Sequence, residues 1–303
     1  MIGLGSPSGL LLPVVLTLCG QSPDQKDVKF TADSDLVLLD VSVQNTKGGF
    51  ASDLKKENFQ IFENGRRQII TQFGKGDTPI SLGLVLDDSR SMRPKRAEVV
   101  NAALAFIDAS NPRDEIFVTH FNDRVRHGLP AGMNFSDDPQ ILRQALWKNE
   151  AEGMTAMYDG ILDGLRQLEF GRQDKKSLII VSDGGDNASA YHFRDVVDAV
   201  QRSRAILYTI GVFDEEDPDR NPALLRRLAA VSGGISYVPP LDQLAAVCRG
   251  IAKDIRNRYS IGYVPARTND KSALRTVKVS ITDAGSQKYV VHARTSYVLP
   301  ARP

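Results

Sequence analysis

The stretch "LVLDDSRSM" at residues 84–92 holds side chains whose types and spacing could do chemistry. An apolar run ends at two aspartates and continues into alternating serines, so that Asp87, Ser89 and Ser91 fall at every second position. In a tight loop, this alternation can turn three side chains towards one point. Carboxylate and hydroxyl oxygens without histidine or cysteine favour Mg²⁺, Mn²⁺ or Ca²⁺ over zinc or copper. The stretch therefore indicates a site for a hard divalent cation.

Two later segments carry oxygen side chains that could join this site. Asp183 follows the apolar run "SLIIVS", and Thr155 follows the glycine of "EGMTAMYDG" at the predicted start of a helix. In an open parallel sheet, binding sites form at the carboxyl ends of the strands, so we expect the five side chains to lie together. A small octahedral cation takes about six oxygens. With the hydroxyls bound directly and one aspartate acting through water, a Glu or Asp of a protein partner could complete the shell.

The elements that must position these residues are strands alternating with amphipathic helices from Ile80 onwards. This alternation predicts an α/β fold with a doubly wound, mostly parallel sheet. The predicted strands are "ISLGLVLD", "EIFVTHF", "SLIIVSD", "AILYTIGVF" and "ISYVP", with a short antiparallel edge at "RVRHGLP". The predicted helices are Ala97–Ala109, Pro139–Trp147, Thr155–Leu168, Phe193–Ser203, Pro222–Val231 and Leu241–Asn257.

Strand-like segments lie on both sides of this α/β region. Before it, "LVLLDVSVQ" and the alternation around Asn64-Gly65 predict strands and a hairpin, because that dipeptide tolerates positive φ. After it, "RYSIGYVP", "RTVKVSITD" and "KYVVHARTSYVL" predict three more strands. Neither flank has enough apolar surface to be stable alone, so we expect the two to pair into one small β domain. The predicted organisation is 1–27 signal peptide or disordered tail, 28–78 N-terminal β segment, 79–256 α/β domain and 257–303 C-terminal β segment.

Composition excludes several classes of function. The 303 residues are 42% hydrophobic and 25% charged, as in a globular protein. With 38 basic and 37 acidic residues there is no basic excess for nucleic acid or a membrane surface. The chain has two cysteines, Cys19 and Cys248, so no disulfide framework is indicated. Cys248 falls on the apolar face of a predicted helix, which favours a core thiol over a nucleophile.

The N-terminal residues suggest export. Residues 10–18, "LLLPVVLTL", form an apolar run too short to span a bilayer but suited to the core of a signal peptide. "LTLC" also resembles a lipoprotein box with Cys19 as lipid acceptor, although Leu18 stands where a small residue is usual. No Lys or Arg precedes the run and Pro13 interrupts it, so a disordered tail or a misassigned start is the alternative. We expect a periplasmic, cell-surface or secreted protein.

The three oxygen-bearing segments together resemble the metal-ion-dependent adhesion site of von Willebrand factor type A domains. That family carries Asp-x-Ser-x-Ser, a distant Thr, and an Asp opening a DG turn, in the order seen here over about residues 79–255. The resemblance implies a non-enzymatic adhesion module in which Asp87, Ser89, Ser91, Thr155 and Asp183 hold Mg²⁺. The β flanks resemble those of bacterial, chiefly acidobacterial, von Willebrand factor A-related proteins. Arg90 and Met154 depart from the family pattern, which has a small residue and a glycine there.

Four other interpretations compete with this one. "LVLDDS" is also similar to the paired aspartates of Mg²⁺-dependent phosphoryl-transfer proteins, but no suitable phosphate-binding lysine is evident. Serine hydrolysis is disfavoured because no G-x-S-x-G sequence is present and the histidines are scattered. The serines and Thr155 could merely cap helices in a metal-free scaffold. An intracellular subunit of a chelatase-like ATPase assembly is disfavoured by the apolar N-terminus. The partner and the oligomeric state are left open.

Overall fold

The computed structural model describes residues 36–213, 220–265, 273–282 and 288–299. The predictions on the apolar run, Cys19 and the 1–27 segment lie outside these residues. Within the described ranges, no helix combines the length and apolarity needed to cross a bilayer.

The secondary structure follows the predicted order. The strands are β1 (Val37–Asn45), β2 (Phe59–Glu63), β3 (Arg66–Gln68), β4 (Ile70–Lys75), β5 (Ile80–Asp87), β6 (Glu115–Phe121), β7 (Val125–His127), β8 (Lys175–Ser182), β9 (Ile206–Gly211), β10 (Ser236–Tyr237), β11 (Tyr259–Tyr263), β12 (Leu274–Ile281), β13 (Tyr289–His292) and β14 (Ser296–Val298). The α-helices are α1 (Arg96–Asp108), α2 (Pro139–Trp147), α3 (Met157–Glu169), α4 (Phe193–Arg202), α5 (Pro222–Ser232) and α6 (Leu244–Asn257). Short 3₁₀ segments cover Lys56–Asn58, Arg90–Lys95 and Leu241–Gln243.

A mostly parallel sheet forms the centre of the α/β region, as predicted. Its order is β10-β9-β8-β5-β6-β7, with β7 antiparallel at one edge. Every residue of β5 is buried, because this strand lies mid-sheet with helices on both faces. In the register of the two central strands, Leu86 lies opposite Val181. The carboxyl ends of β5 and β8 therefore reach the same edge of the sheet.

Helix α3 packs unusually close to the strands that carry the site. A Cβ added at Gly160 would lie 2.8 Å from the Phe121 ring, and one at Gly164 would lie 3.0 Å from the Val85 side chain. The absence of side chains at these two glycines lets the helix backbone approach β5 and β6. The segment that precedes α3 is thereby brought to the carboxyl edge of the sheet.

The flanking strands pair with each other, as predicted, and we call β1–β4 and β11–β14 the flanking β module. It has two four-stranded sheets, ordered β13-β1-β11-β4 and β14-β12-β2-β3, so each sheet mixes strands from both flanks. One apolar core joins the two sheets, including Val41 and Ile261 from the first and Ile61 and Val277 from the second. The two ends of the chain therefore build this core jointly.

The sequence did not predict where the chain leaves one sheet for the other. "KYVVHARTSYVL" was expected to be one strand, but it contains β13 and β14, which belong to different sheets. "RRQIITQF" likewise divides into β3 and β4 around Ile69, whose residue is 83% exposed. Local alternation cannot predict such a division, because either strand alone continues the pattern. The hairpin is as predicted, with φ of 46° at Asn64 and 77° at Gly65.

A buried polar cluster fastens the flanking β module to the α/β region. The Arg258 guanidinium lies 2.9 Å from Asp254 Oδ2 and donates to the Asp40 carbonyl of β1 at 3.1 Å. Asp254 also accepts from Tyr208 of β9 at 2.6 Å and from Ser42 of β1. Burial by itself would raise the pKa of Asp254, but Arg258 and these hydroxyls lower it below its ordinary value. Because the side chains of Ser42, Tyr208, Asp254 and Arg258 are all buried, the cluster depends on being complete.

Replacing Arg258 by alanine should therefore destabilise the protein strongly. The change leaves the Asp254 carboxylate buried without its cation, which typically costs about 3–5 kcal/mol in the free energy of unfolding. Urea denaturation would measure this loss. Arg249 lies exposed on α6, the helix that carries Asp254 and ends just before Arg258, so Arg249→Ala should stay within about 0.5 kcal/mol of the wild type. Equal effects of the two substitutions would contradict the role given to the cluster.

Candidate metal centre

Asp87 and Asp183 arrive at the site from the two central strands. Asp87 is the last residue of β5, and Asp183 directly follows Ser182, the last residue of β8. The Ser182 hydroxyl donates to Asp87 Oδ2 at 2.6 Å and accepts the Gly184 N–H at 3.0 Å. Ser182 thus links the end of one strand to the turn after the other. Sequence reasoning did not single out this serine, although its place directly before the aspartate of the "DGG" turn was a usable signal.

The loop after β5 connects the two carboxylates through hydroxyl groups. Asp87 Oδ1 accepts the backbone N–H of Ser89 at 2.9 Å, which closes a tight turn. The Ser89 and Ser91 hydroxyl oxygens are 3.1 Å apart, and the Ser91 hydroxyl donates to Asp183 Oδ2 at 2.5 Å. Four of the five predicted side chains, Asp87, Ser89, Ser91 and Asp183, are therefore in one hydrogen-bonded group.

These serines are not occupied in capping a helix. Ser89 stands at the N-cap position of the Arg90–Lys95 3₁₀ segment, but its side chain makes no capping hydrogen bond. Ser89 is 1% exposed and Ser91 is half-buried, so both hydroxyls lie within the site rather than in open solvent. A polar turn of ordinary function would use these hydroxyls to satisfy the free N–H groups at the helix start.

Thr155 reaches the same edge by a different route from the one predicted. Helix α3 begins at Met157, with Ala156 as its N-cap, so Thr155 lies in the loop before the helix and not at its start. Its backbone bonds instead to the loop after Asp183. The Asn187 side chain accepts the Thr155 N–H at 2.9 Å, and the Thr155 carbonyl accepts the Asn187 N–H at 3.0 Å. The described residues make no hydrogen bond to the Thr155 hydroxyl, which is therefore available to a ligand.

The loop after Asp183 and the start of α3 hold each other in place. Asp186 Oδ2 accepts the Tyr158 N–H at 2.9 Å, and the Ser189 hydroxyl accepts the Asp159 N–H at 3.2 Å. In return, the Asp159 carboxylate accepts the N–H groups of Ala190 and Tyr191. The free N–H groups of the first helical turn are thus satisfied by another loop. This cross-capping explains why neither Thr155 nor Ala156 needs to cap α3.

Asp88 points into a buried cluster behind the site. Its Oδ2 lies 2.8 Å from His120 Nδ1, and its Oδ1 pairs with Arg96 of α1. His120 Nε2 lies 2.8 Å from the Ala145 carbonyl, so the ring is held at both nitrogens. His120 is 1% exposed and supports Asp88 from the interior. Asp88 therefore fixes the loop from behind while Asp87 faces the site.

The surroundings of Asp87 strongly shift the pKa of its carboxyl group. Its pKa is raised from 3.8 to about 7, first by burial and then by the nearby negative charge of Asp183. Hydrogen bonds from Ser182 and Ser89 act in the opposite direction but do not cancel these effects. No Lys, Arg or His of the described residues forms a salt bridge with either carboxylate. Two carboxylates without a protein cation form a place where a positive charge would be stabilised.

The two departures from the family pattern lie on the rim of the site. The Arg90 N–H donates to the Gly153 carbonyl at 3.2 Å, so the loops carrying Arg90 and Met154 are in contact. The Met154 N–H is held by Asp123 at 3.0 Å, and the Met154 residue is 52% exposed. Arg90 is also exposed. Neither residue displaces one of the five oxygen-bearing side chains.

This arrangement agrees with the comparison to known families. The sequence profile of the von Willebrand factor type A domain matches residues 82–245, more than half of the chain. The chain belongs to the von Willebrand factor type A domain family. The residues matched to this VWA family hold most of the central sheet and helices α1–α5, and they include the carboxyl edge that carries the oxygen cluster. The closer relation to acidobacterial proteins stays a prediction.

Relatives of the VWA domain are found at low identity. An uncharacterized protein of Synechocystis sp. is 28% identical over 168 residues, which cover 53% of this chain and 38% of that protein. This chain thus spans well under half the length of that relative. Among solved structures, a von Willebrand factor type A protein from Catenulispora acidiphila covers 88% of this chain and 75% of its own, with 15% identity and a TM-score of 0.53. That coverage exceeds the VWA domain and so includes flanking strands.

A second solved structure is proximal thread matrix protein 1 from the mussel byssus, with zinc in its metal-ion-dependent adhesion site (MIDAS) motif. It covers 64% of this chain and 49% of its own, with 18% identity and a TM-score of 0.51. At such identities, both structures establish a shared fold and no more.

Proposed function

We propose that this protein is a binding module that recognises an acidic residue of a protein partner through a divalent cation. The cation is held by Asp87, Ser89, Ser91, Thr155 and Asp183, with Mg²⁺ as the expected ion and Mn²⁺ or Ca²⁺ as alternatives. The observation that carries this proposal is the pair of buried carboxylates, without a protein cation, joined by serine hydroxyls that cap no helix.

The donor set fits a hard cation. All five side chains offer oxygen, which Mg²⁺ prefers. Two of the five, Asp87 and Asp183, are carboxylates, and the described residues contain no cluster of three or more His, Cys, Asp or Glu side chains that could hold a metal elsewhere. Five protein oxygens also leave an octahedral ion one ligand short. When bound, the cation would supply a positive charge and an open position that a partner's carboxylate could fill.

The residues around the site would determine which partner it binds. A single carboxylate contact is weak by itself, so most of the affinity must come from the surrounding loop surface. Arg90 and Met154 present a positive charge and an apolar side chain to solvent beside the site. We therefore expect the partner segment to combine an acidic residue for the cation with further acidic and apolar groups.

The enzymatic alternatives find little support at this edge of the sheet. Lys175 and Lys176 start β8, whereas Asp183 follows its other end, so neither can serve a phosphate at the site. Lys95, which sequence reasoning did not consider, is buried and donates to the Val212 carbonyl at 2.9 Å. Cys248 is a buried thiol of α6 whose pKa is raised to about 12 by burial. Lys175 and Lys176 lie at the other end of β8, and Lys95 and Cys248 are buried, which supports a non-enzymatic role.

Partner capture tests the proposal directly. The wild-type protein and Thr155→Ala are immobilised and exposed to extracellular extract with Mg²⁺ or with chelator. We expect a partner that the wild type retains in Mg²⁺, releases in chelator and loses in the variant. Thr155 lies in a loop and its hydroxyl bonds to no described residue, so its removal should leave the fold intact. A partner retained equally in chelator would contradict recognition through the cation.

We also propose that the protein is exported. The support is the apolar run at residues 10–18, which suits the core of a signal peptide. N-terminal sequencing of the mature protein checks this proposal. A start within the polar stretch after residue 18 agrees with cleavage, and a blocked, lipid-bearing Cys19 agrees with anchoring. An intact N-terminus in the cytosol would contradict export and favour the chelatase-like alternative.

A further inference from the structure

A second cleft lies at the opposite end of the sheet from the metal centre. It has a volume of about 470 Å³ and lies between the flanking β module and the amino ends of β8 and β9. Its volume falls within the range of about 300–1,000 Å³ typical of small-molecule sites. Most of the residues that line it are of polar type: Asp40, Gln72, Thr78, Gln173, Asp174, Lys175, Arg204, Ser232, Ser260 and Arg294, with Leu38, Pro79 and Ile206.

The cleft gathers three cationic side chains that form no salt bridge with the described residues. Lys175, Arg204 and Arg294 all line it, and none of them forms a salt bridge with a residue of the described ranges. Asp40 also lines the cleft, and its carboxylate accepts the Ser260 hydroxyl at 3.0 Å. Asp174 is exposed at the mouth. Three cationic side chains thus face two carboxylates around the cavity, and no salt bridge joins them within the described residues.

Arg294 is held firmly in this position. Its guanidinium donates to the Ser203 carbonyl at 2.7 Å, the one hydrogen bond that its side chain makes with the described residues. The backbone at Arg294 packs so tightly on Gly233 that a Cβ added to Gly233 would lie 2.3 Å from the backbone nitrogen of Arg294. A guanidinium has five N–H donors, so most remain for a ligand. Burial lowers the pKa of Arg294, Asp40 partly offsets this effect, and the charge of Arg204 adds to it.

We propose that this cleft binds a small hydroxylated oxyanion, such as a sugar acid or a sugar phosphate. Its carboxylate or phosphate would lie against Arg204 and Arg294, because planar guanidinium groups match such anions. Its hydroxyls would meet the polar side chains of Asp40, Gln173 and Ser260. The site is independent of the metal centre, since the cleft lies at the amino ends of the strands and uses none of its residues.

Isothermal titration in chelator, which removes any metal-bound contribution, tests this proposal on the full chain. The probes are glucuronate, glucose 6-phosphate and, as a neutral control, glucose. We expect one or both anionic sugars to bind and glucose to bind at least tenfold more weakly. Binding of glucuronate only would assign a carboxylate ligand, and binding of glucose 6-phosphate only would assign a phosphate.

Variants complete the test. Arg204→Ala and Arg294→Ala should each weaken anion binding at least tenfold, whereas Arg226→Ala, an exposed arginine of α5 outside the cleft, should bind as the wild type does. Arg204 is exposed, so its variant stays informative even if Arg294→Ala fails to fold. The proposal is overturned if neither anion binds, if glucose binds equally, or if Arg204→Ala binds unchanged.

Discussion

Replacing Asp87 by alanine should abolish Mg²⁺ binding to the purified protein. Asp87 is one of only two carboxylates in the proposed donor set, and it anchors the turn that places Ser89 through the 2.9 Å bond to the Ser89 N–H. Its loss removes a charged ligand and also releases a hydroxyl ligand. We expect the wild type to bind about one equivalent of Mg²⁺ or Mn²⁺ in calorimetric titration. The variant should show at least a hundredfold weaker binding.

A matched control separates a specific ligand from a general charge effect. Asp137 is exposed and forms no ion pair with the described residues, so Asp137→Ala makes the same change in net charge away from the site. It should bind Mg²⁺ as the wild type does. Full binding in Asp87→Ala would show that the ion lies elsewhere. Failure of the wild type to bind either ion would leave the partner as a required ligand, and the capture experiment would decide that point.

The α/β fold and the meeting of Asp87, Ser89, Ser91 and Asp183 at one edge of the sheet could be predicted, because both follow from local signals. Strands ending in Asp87 and Ser182 are continuous apolar runs, and the parallel arrangement brings their ends to one edge. The serine spacing belongs to one loop, so no distant contact had to be known. These predictions needed only the spacing of apolar residues along the chain and the parallel sheet that this spacing implies.

Other features depend on distant contacts and could not be predicted. Helix α3 begins at Met157 and not at the predicted Thr155. Its first turn is capped by Asp186 and Ser189, which lie about thirty residues away in the sequence. The division of residues 288–299 between two sheets follows from pairing with β1 and β12, which local alternation does not specify. Ser182 had a local signal in its place before the turn aspartate, but its hydrogen bond to Asp87 depends on the pairing of β5 with β8.

The metal-free protein should lose stability as the pH rises towards neutrality. The folded pKa of Asp87 is about 7 against an ordinary value of 3.8, so the folded state holds this proton over a range in which the unfolded state has released it. The stabilisation that this proton provides is complete below about pH 4 and is lost as the pH rises to about 7. Over this range the free energy of unfolding falls by at most about 4 kcal/mol. Urea denaturation in chelator at several pH values measures this loss relative to Asp87→Asn, which cannot titrate at this position.

Addition of Mg²⁺ should reverse this loss, because only the deprotonated Asp87 can serve as a ligand. We expect Mg²⁺ to raise the unfolding midpoint of the wild type at pH 8 and to have little effect at pH 5. Around pH 6, binding should release nearly one proton per ion, which calorimetry in buffers of different ionisation enthalpy can detect. Stabilisation by Mg²⁺ that is equal at pH 5 and pH 8 would show that Asp87 is not a ligand. Stabilisation that persists in Asp87→Asn would assign the ion to another group of oxygens.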